Sequence, residues 1–233
     1  MYLDYTLDES GPHGISLSSW LEREKTALLI VDMQNYMSRR EYAGKWSSDQ
    51  AENYYFSRLE NTVLPNIRKL AEAFRANSAP VIYFRICYTD LNYADVPAGL
   101  TRKRYLEDLK GASGRFTLHA DDPATAIDDR IAPQPADVVL LKSSSGGFCT
   151  STLDLTLRSN NISRLVFTGG ITEGCVESTL REGFDRGYLC TLVEDACISS
   201  SESAHEASVR AIEMYFGWIA STFDLLDTIQ RNS

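Results

Sequence analysis

The sequence predicts an α/β domain in which helices cover both faces of a mostly parallel sheet, a three-layer α/β/α sandwich. Short apolar runs bounded by turn residues recur along the chain, and such runs are typical of strands buried on both faces. Helical patterns lie between them, and this alternation predicts the three layers. The length of 233 residues fits one large domain better than two.

Six segments have the composition of strands in such a sheet. Five are continuous apolar runs, and the sixth, at 217–221, is weaker. The predicted strands are residues 26–32, 79–86, 137–142, 164–170, 188–195 and 217–221. Residues 1–24 carry turn residues and no comparable run, so we predict that they are an N-terminal extension of a domain spanning 25–233.

Four segments between the strands carry apolar residues at helical spacing. They are residues 66–77, 151–161, 175–187 and 203–216. In the first segment, Ile67, Leu70 and Phe74 share one face, as expected of a helix packed on a sheet. The second begins with Ser151 and Asp154 at the spacing of a capping box, which indicates a helix start there.

Two longer segments interrupt this alternation, at residues 36–57 and 88–136. Both follow strands of the predicted sheet, and ligands of open α/β sheets bind beyond the carboxyl ends of strands. Either segment could therefore form a lid or pocket wall, or a solvated surface excursion. The aromatic residues Trp46, Tyr54 and Tyr55 fit a lid or an oligomer contact.

Composition excludes several classes of function. The net charge of −9 argues against binding to nucleic acid or to anionic membranes. The sequence contains no run of about 18 apolar residues that could span a bilayer, and the amino terminus has no apolar signal segment. Five cysteines without a C-x-x-C pair argue against a disulfide framework and a thiol zinc site. We predict a cytoplasmic protein.

Three chemically reactive side chains stand at the carboxyl ends of predicted strands. Asp32 ends the first strand, Lys142 ends the third, and Cys175 follows the fourth after a Gly-Gly turn. Parallel strands bring such residues to one edge of the sheet, where a carboxylate, an ammonium and a thiol make a plausible nucleophilic site. Taken singly, Asp32 could instead cap a helix, Lys142 could reach water, and Cys175 could be a small core residue.

The setting of Cys175 favours the nucleophile. It lies at the predicted start of a helix, where the helix dipole lowers the pKa of a thiol. Gly169 and Gly170 permit a sharp turn before it, and free N–H groups there could hold an oxyanion. The other cysteines are assigned to packing: Cys87, Cys149, Cys190 and Cys197. Cys149 lies in a Gly-rich loop near Lys142 and could instead face the pocket.

Three segments resemble the motifs of the isochorismatase-like cysteine hydrolase superfamily. They are IVDMQN (30–35), LLKSSSGGF (140–148) and TGGITEGCVESTLREGFDRGY (168–188). The resemblance extends from about residue 25 to 221, and within the superfamily the motifs are most similar to ureidoacrylate amidohydrolases and biuret hydrolases. It implies a Rossmann-like, isochorismatase-like fold with a six-stranded, mostly parallel sheet.

The resemblance also implies a site. Asp32, Lys142 and Cys175 match the family triad, and the N–H groups of Ile171 and Cys175 match its oxyanion hole. A cis peptide bond is implied between Gly170 and Ile171. The chain departs from the family pattern at Gly170, where a larger apolar residue is usual, and at Glu173 and Gly174, which changes the expected pocket floor.

The implied activity is hydrolysis of a non-peptide C–N bond in a small amide or ureido substrate, through a cysteine thioester and without cofactor or metal. Residues 33–78 contain no histidine, which argues against the zinc site of nicotinamidases. Family members are commonly dimers or tetramers, so a homodimer or homotetramer is expected. The alternatives are a catalytically silent binding protein, an isochorismatase-type hydrolase with a non-amide substrate, and a redox sensor.

Four further residues are candidates for substrate binding. Arg85, at the end of the second strand, could pair with a substrate carboxylate or with an internal acid. Tyr36 follows the first of the three motifs and Phe148 is the last residue of the second, and both could form apolar walls. Trp218 could belong to the core or to the pocket.

Overall fold

The computed structural model describes residues 25–42, 48–90, 94–97 and 118–231. Over these residues it has a six-stranded sheet in which every neighbouring pair is parallel. The strands are β1 Thr26–Val31, β2 Val81–Ile86, β3 Val138–Lys142, β4 Arg164–Gly170, β5 Leu189–Ile198 and β6 Trp218–Ala220. Their order across the sheet is β3-β2-β1-β4-β5-β6. The predicted three-layer fold is thereby confirmed, while the extension predicted at 1–24 lies outside the described residues.

Seven α-helices lie in the described part of the chain. They are α1 Asn35–Ser38, α2 Asp49–Arg58, α3 Leu64–Ala76, α4 Leu153–Ser159, α5 Glu177–Asp185, α6 Glu202–Tyr215 and α7 Thr222–Arg231. Single π-helical turns at Leu59–Val63 and Thr172–Val176 lead directly into α3 and α5. Short 3-10 turns occupy Arg40–Tyr42, Pro123–Thr125 and Asp129–Ile131.

The core consists of two layers, one on each face of the sheet. On the first face, residues of α2, α3 and α7 pack against alternate residues of β1 such as Leu28 and Ile30. On the second face, α4, α5 and α6 pack against Leu29 and Val31. Every residue of β1 is therefore fully buried, which explains why its sequence is continuously apolar rather than alternating.

Residues 36–57 are largely helical where they are described. They contain most of α1 and of α2, and Trp46 lies outside the described residues. Tyr55 is buried in the first core layer, and its hydroxyl donates a hydrogen bond to the carbonyl of Met37 at 3.1 Å. Of the 88–136 segment, residues 88–90, 94–97 and 118–136 are described, and Leu118 lines a cavity at the carboxyl edge of the sheet.

The capping box predicted at residues 151–154 is wrong. Helix α4 begins at Leu153, and the hydroxyl of Ser151 donates to the carbonyl of Gly147 while accepting from the Leu153 N–H. A capping box that we did not predict begins α7. There Ser221 Oγ accepts from the Asp224 N–H at 3.1 Å, and the Asp224 carboxylate accepts from the Ser221 N–H at 3.3 Å.

The backbone conformation of Gly169 leaves no room for a side chain beside β1. Both Gly169 and Gly187 have a positive φ, +107° and +86°. A Cβ on Gly169 would lie 2.2 Å from the Val31 carbonyl oxygen, whereas one on Gly187 would meet nothing within 4 Å. We expect Gly187→Ala to cost about 1–2 kcal/mol of unfolding free energy for its backbone conformation alone. Gly169→Ala should cost at least about 4 kcal/mol, since the clash adds to that term.

Urea denaturation of the two glycine variants measures this difference directly. Gly187→Ala is the matched control, because it shares the positive φ and lacks the clash. Equal losses of unfolding free energy in the two variants would show that the Val31 backbone does not restrict a side chain at position 169.

Candidate active site

Asp32, Lys142 and Cys175 meet at the carboxyl edge of the sheet. Asp32 follows β1 directly and has a positive φ of 49°, Lys142 is the last residue of β3, and Cys175 lies in the π turn after β4. Because β1 and β4 are neighbours and all the strands are parallel, Asp32 and the Cys175 turn emerge side by side. Lys142 extends towards them from β3, which lies beyond β2 in the sheet.

Lys142 and Asp32 form a buried ion pair. Lys142 Nζ lies 2.7 Å from Asp32 Oδ2, and both side chains are fully buried. The same ammonium donates to the carbonyl oxygens of Ser144 at 2.8 Å and Ser145 at 3.1 Å, so its three protons all have acceptors. Burial alone would lower the pKa of Lys142, but the adjacent Asp32 carboxylate outweighs it and the pKa is raised. The lysine is therefore a fixed positive charge.

Asp32 is sparsely hydrogen-bonded for a buried carboxylate. Apart from the ion pair with the Lys142 ammonium, its two oxygens have no hydrogen-bond partner among the described residues. Buried carboxylates are usually satisfied by several donors, and each donor weakens the carboxylate as a base. Asp32 thus retains an oxygen lone pair that can accept a proton.

The Cys175 thiol interacts with both members of the ion pair. Burial raises the pKa of Cys175 to about 12, with Lys142 opposing this shift and Asp32 adding to it. This corrects the prediction that a helix dipole lowers that pKa, because one π turn separates the start of α5 from β4 and desolvation dominates there. The resting thiol is neutral, so it needs a base in order to act as a nucleophile.

The turn that carries Cys175 begins with a cis peptide. The bond between Gly170 and Ile171 is cis, as predicted. Gly174, immediately before Cys175, has a non-helical backbone with φ −122° and ψ −106°. The turn closes on itself through hydrogen bonds from the N–H groups of Gly174 and Val176 to the Ile171 carbonyl, at 3.0 and 3.3 Å.

A small cavity of about 90 Å³ opens beside the thiol. Its lining residues are Tyr36, Met37, Ile86, Leu118, Ser145, Ile171 and Cys175. The lining is mainly apolar, and the Tyr36 and Ser145 side chains supply the hydroxyl groups. A compact substrate of few atoms suits this space.

Comparison with known proteins identifies the family. The Isochorismatase domain model matches residues 26–224. The chain belongs to the isochorismatase family. A ureidoacrylate amidohydrolase RutB from Pseudomonas syringae pv. syringae is 35% identical over 211 residues, which cover 88% of this chain and 83% of that protein. The RutB protein of Acinetobacter baylyi is 33% identical over 226 residues, covering 91% and 86%.

Solved structures share the fold of this isochorismatase-family protein. A cysteine hydrolase from Pseudomonas syringae pv. phaseolicola has a TM-score of 0.74 and 23% identity, covering 92% of this chain and 96% of that one. An N-carbamoylsarcosine amidase from Thermoplasma acidophilum has a TM-score of 0.62 and 24% identity, covering 85% and 96%. At these identities the likeness is one of fold.

The cavity contains one of the four candidate substrate-binding residues, Tyr36. Arg85 does not line it. Its guanidinium donates to the carbonyls of Thr125 and Ala120 at 2.9 and 3.0 Å and to Thr125 Oγ1 at 2.8 Å. Arg85 has no acidic partner among the described residues, so the predicted pairing with an internal acid is not found there. Its side chain instead fastens the segment that contains Leu118.

Phe148 and Trp218 also lie away from the cavity. Phe148 is buried in the second core layer, with its ring centroid 5.6 Å from that of Tyr188. Trp218 begins β6 and pairs with Thr191 near the start of β5, so it lies at the amino edge of the sheet, opposite the triad. Phe148 is therefore a correction to the candidate binding set. For Trp218 the core alternative holds, since its side chain packs against the first core layer.

Four cavity residues were not predicted from the sequence: Met37, Ile86, Leu118 and Ser145. Two of them carried a usable signal, since Met37 follows the IVDMQN motif and Ser145 lies inside LLKSSSGGF. Leu118 comes from the long connection after β2, where no pattern marks it.

The family departures at Gly170 and Glu173 have visible consequences. A Cβ on Gly170 would lie 2.6 Å from Ile198 Cγ2 and 3.1 Å from Met37 Cε, so these two side chains occupy the space of a larger residue. Glu173 accepts hydrogen bonds from the hydroxyls of Ser199 and Ser200 and from the Ser200 N–H. It thereby ties the Cys175 turn to the loop after β5.

The remaining cysteines differ in exposure. Cys87, Cys190 and Cys197 are buried, as predicted. Cys149 is exposed, contrary to its predicted packing role, and its sulfur lies 3.0 Å from Ser144 Oγ. Within the described residues, no three His, Cys, Asp or Glu side chains are grouped as metal ligands would be, and no helix has the length and apolar content of a membrane span.

His205 is buried behind the Cys175 turn, and its titration makes stability depend on pH. Burial lowers the pKa of His205 to about 4 from an ordinary value of 6.5. The nearby positive charge of Arg58 also lowers this pKa, and the negative charge of Glu173 raises it. The unfolded chain therefore takes up this proton below pH 6.5 while the folded chain does so only near pH 4. The stabilising contribution is complete above pH 6.5 and is lost as the pH falls towards 4.

The unfolding free energy of the unmodified protein should decrease as the pH is lowered from 7 to 5. We expect this decrease to be about 2 kcal/mol smaller in the His205→Asn variant, which has no imidazole to titrate. Urea denaturation at the two pH values gives this difference, and carboxylate titration is common to both proteins. A variant that lost as much stability as the unmodified protein over this interval would contradict the neutral, buried state of His205.

Proposed function

We propose that this isochorismatase-family protein is a cysteine-dependent amidohydrolase that cleaves a non-peptide C–N bond of a small amide or ureido substrate. The observation that carries the proposal is the convergence of a buried Lys142–Asp32 ion pair on the Cys175 thiol beside a cavity. The ureidoacrylate amidohydrolases, which align over most of the chain, support a ureido substrate.

The first half of the reaction forms a thioester. Asp32 accepts the Cys175 proton as the sulfur attacks the substrate carbonyl carbon, and Lys142 compensates the negative charge that is shared between them. The tetrahedral intermediate collapses when the C–N bond breaks and Asp32 returns the proton to the leaving nitrogen. Because the thiol is neutral at rest, proton transfer to Asp32 accompanies attack, and such a step is worth about 10²–10⁴-fold in rate.

The second half of the reaction regenerates the thiol. Water attacks the thioester carbonyl carbon, and Asp32 accepts a proton from it. The C–S bond then breaks, and the Cys175 sulfur takes that proton back while the acid product leaves. In both halves the backbone N–H groups of Ile171 and Cys175 are proposed to stabilise the oxyanion, and each such donor is worth about 10²–10³-fold.

The cavity supports a small substrate. Its volume of about 90 Å³ accommodates a carbamoyl group or a short acyl group more readily than a peptide segment. The expectations of a homodimer or homotetramer and of a cytoplasmic location stay predictions, to be tested by sedimentation and by fractionation.

The proposal is tested by a screen for released ammonia. The panel comprises ureido acids, N-carbamoyl amino acids, biuret and maleamate, each incubated with the protein and with its Cys175→Ala variant. We expect turnover of a ureido acid by the unmodified protein alone. Turnover that is equal in both proteins would contradict covalent catalysis by Cys175.

A catalytically silent binding protein is the second candidate, and alkylation distinguishes it. Since Cys149 is exposed, the experiment uses a Cys149→Ser background, in which the serine hydroxyl can still contact Ser144. We expect iodoacetamide to modify Cys175 faster than Cys87, Cys190 or Cys197, as mapped by peptide mass spectrometry. Uniformly slow labelling would favour the silent protein.

A further inference from the structure

A chain of hydrogen bonds lies behind the Cys175 turn, on the side away from the cavity. Thr172, the second residue after Gly170, is fully buried, and its Oγ1 lies 3.0 Å from the Ile198 carbonyl oxygen. The Nδ1 of His205 lies 3.0 Å from the same hydroxyl. His205 comes from α6, so this contact joins the turn to a separate helix.

The far end of the chain is Arg58. Its Nη2 lies 3.2 Å from His205 Nε2 and donates to the Glu194 carbonyl at 2.9 Å, while its Nε lies 3.3 Å from the Cys197 carbonyl. The arginine is thus held by the backbone of β5 while it faces the imidazole.

Donor chemistry gives the chain a single direction. A guanidinium has only donors, so His205 Nε2 must accept from Arg58 and the ring proton must be on Nδ1. Nδ1–H then donates to Thr172 Oγ1, whose own proton goes to the Ile198 carbonyl. The sequence of donors is Arg58, His205, Thr172. Burial and Arg58 both keep the ring neutral, as its lowered pKa of about 4 requires.

We infer that His205 is a positioning residue for the nucleophile turn, acting through its hydrogen bond to the Thr172 hydroxyl. The inference rests on the proposed function. Thr172 lies between Ile171 and Cys175, whose N–H groups are the proposed oxyanion hole, and its side chain is fixed at two points. Neither His205 nor Thr172 lines the cavity, so their effect is on the placement of the turn and not on substrate contact.

Substitutions can remove one hydrogen bond of the imidazole and keep the other. An asparagine at 205 places its amide nitrogen near the position of Nδ1 and keeps the donor to Thr172. A glutamine places its amide oxygen near Nε2 and keeps the acceptor for Arg58. At 172, Thr172→Ser keeps the hydroxyl, and Thr172→Val removes it with little change in shape.

We expect Thr172→Val and His205→Gln to lower kcat about 10-fold with KM changed less than 2-fold, because misplacement of reacting groups costs rate more than binding. Thr172→Ser and His205→Asn should keep kcat within about 2-fold. The double variant Thr172→Val/His205→Gln should be no slower than Thr172→Val alone, since both changes break the same bond. Circular dichroism and thermal denaturation establish that each variant is folded at the assay temperature.

Alkylation of Cys175 supplies a readout that needs no substrate. In the Cys149→Ser background, we expect Thr172→Val and His205→Gln to slow the modification of Cys175 several-fold, and Thr172→Ser and His205→Asn to leave it unchanged. If no amide is turned over by the unmodified protein, the proposed function fails, and the alkylation rates alone decide the positioning role. Folded Thr172→Val and His205→Gln variants with unchanged kcat or unchanged alkylation would overturn the inference.

Discussion

Replacement of Cys175 by alanine or serine is expected to lower kcat/KM for the ureido or amide substrate by about 10⁵-fold or more, the scale on which removing a covalent nucleophile acts. Serine is included because its hydroxyl has nearly the shape of the thiol but is far harder to deprotonate beside Asp32. The loss should appear in kcat, since the cavity lining is otherwise unchanged.

The matched control is Cys149→Ser, the same chemical change at an exposed cysteine outside the cavity. It should keep full activity. If Cys175→Ser kept more than about a hundredth of the turnover, the thioester would be excluded as an obligatory intermediate, because residual activity after nucleophile loss comes only from binding and oxyanion stabilisation.

Lys142→Met is expected to be both inactive and strongly destabilised. Methionine fits the buried volume but leaves the Asp32 carboxylate without its ion-pair partner, and an uncompensated buried charge costs about 3–5 kcal/mol. The carbonyls of Ser144 and Ser145 would also lose their donor. Urea denaturation measures the stability loss, and the amide assay measures the activity.

The double variant Asp32→Asn/Lys142→Met separates the two effects. Removing both charges should restore most of the unfolding free energy, since no unpaired ion remains, while activity stays at least about 10²-fold down because the base is gone. Recovery of activity together with stability would mean that the ion pair only supports the fold. A double variant as unstable as Lys142→Met would contradict the assignment of the destabilisation to an unpaired carboxylate.

The sequence was sufficient to predict how the triad is assembled. Parallel strands necessarily end at one edge, so acidic, basic and thiol residues at three strand ends could be expected to meet there. Lys142 ends β3, which is separated from β1 by β2, so its side chain must extend past one strand to contact Asp32. That spacing is a property of strand order, which the hydrophobic runs do not encode.

The site residues that were missed or misassigned depend on tertiary contacts. Trp218 has the same local pattern as a pocket residue, but strand direction places it at the amino edge of the sheet. Arg85 is near the correct edge, yet Thr125 and Ala120 from a distant segment occupy its donors. The pKa of Cys175 depends on burial that is created only by folding, and a helix-dipole argument does not include it.

The two S-x-x-D patterns of the sequence show that local structure also depends on contacts outside the pattern. Ser151 and Ser221 are each followed by an aspartate three residues later, and a capping box forms only at Ser221. At Ser151 the hydroxyl is taken by the Gly147 carbonyl of the loop after β3, while Asp154 accepts from Arg158 and Tyr188. A local acceptor for Ser151 and a tertiary donor for Asp154, Tyr188, therefore compete with the cap at this position.

Trapping of the acyl-enzyme tests the central claim most directly. The protein would be mixed with its turned-over substrate, quenched in acid within the first turnovers and digested, and the peptide that contains Cys175 weighed by mass spectrometry. We expect that peptide to gain the mass of the substrate acyl group and to lose it as turnover proceeds, with no gain in Cys175→Ala. Steady turnover with an unmodified Cys175 peptide at every quench time, or an acyl group on another residue, would contradict the account.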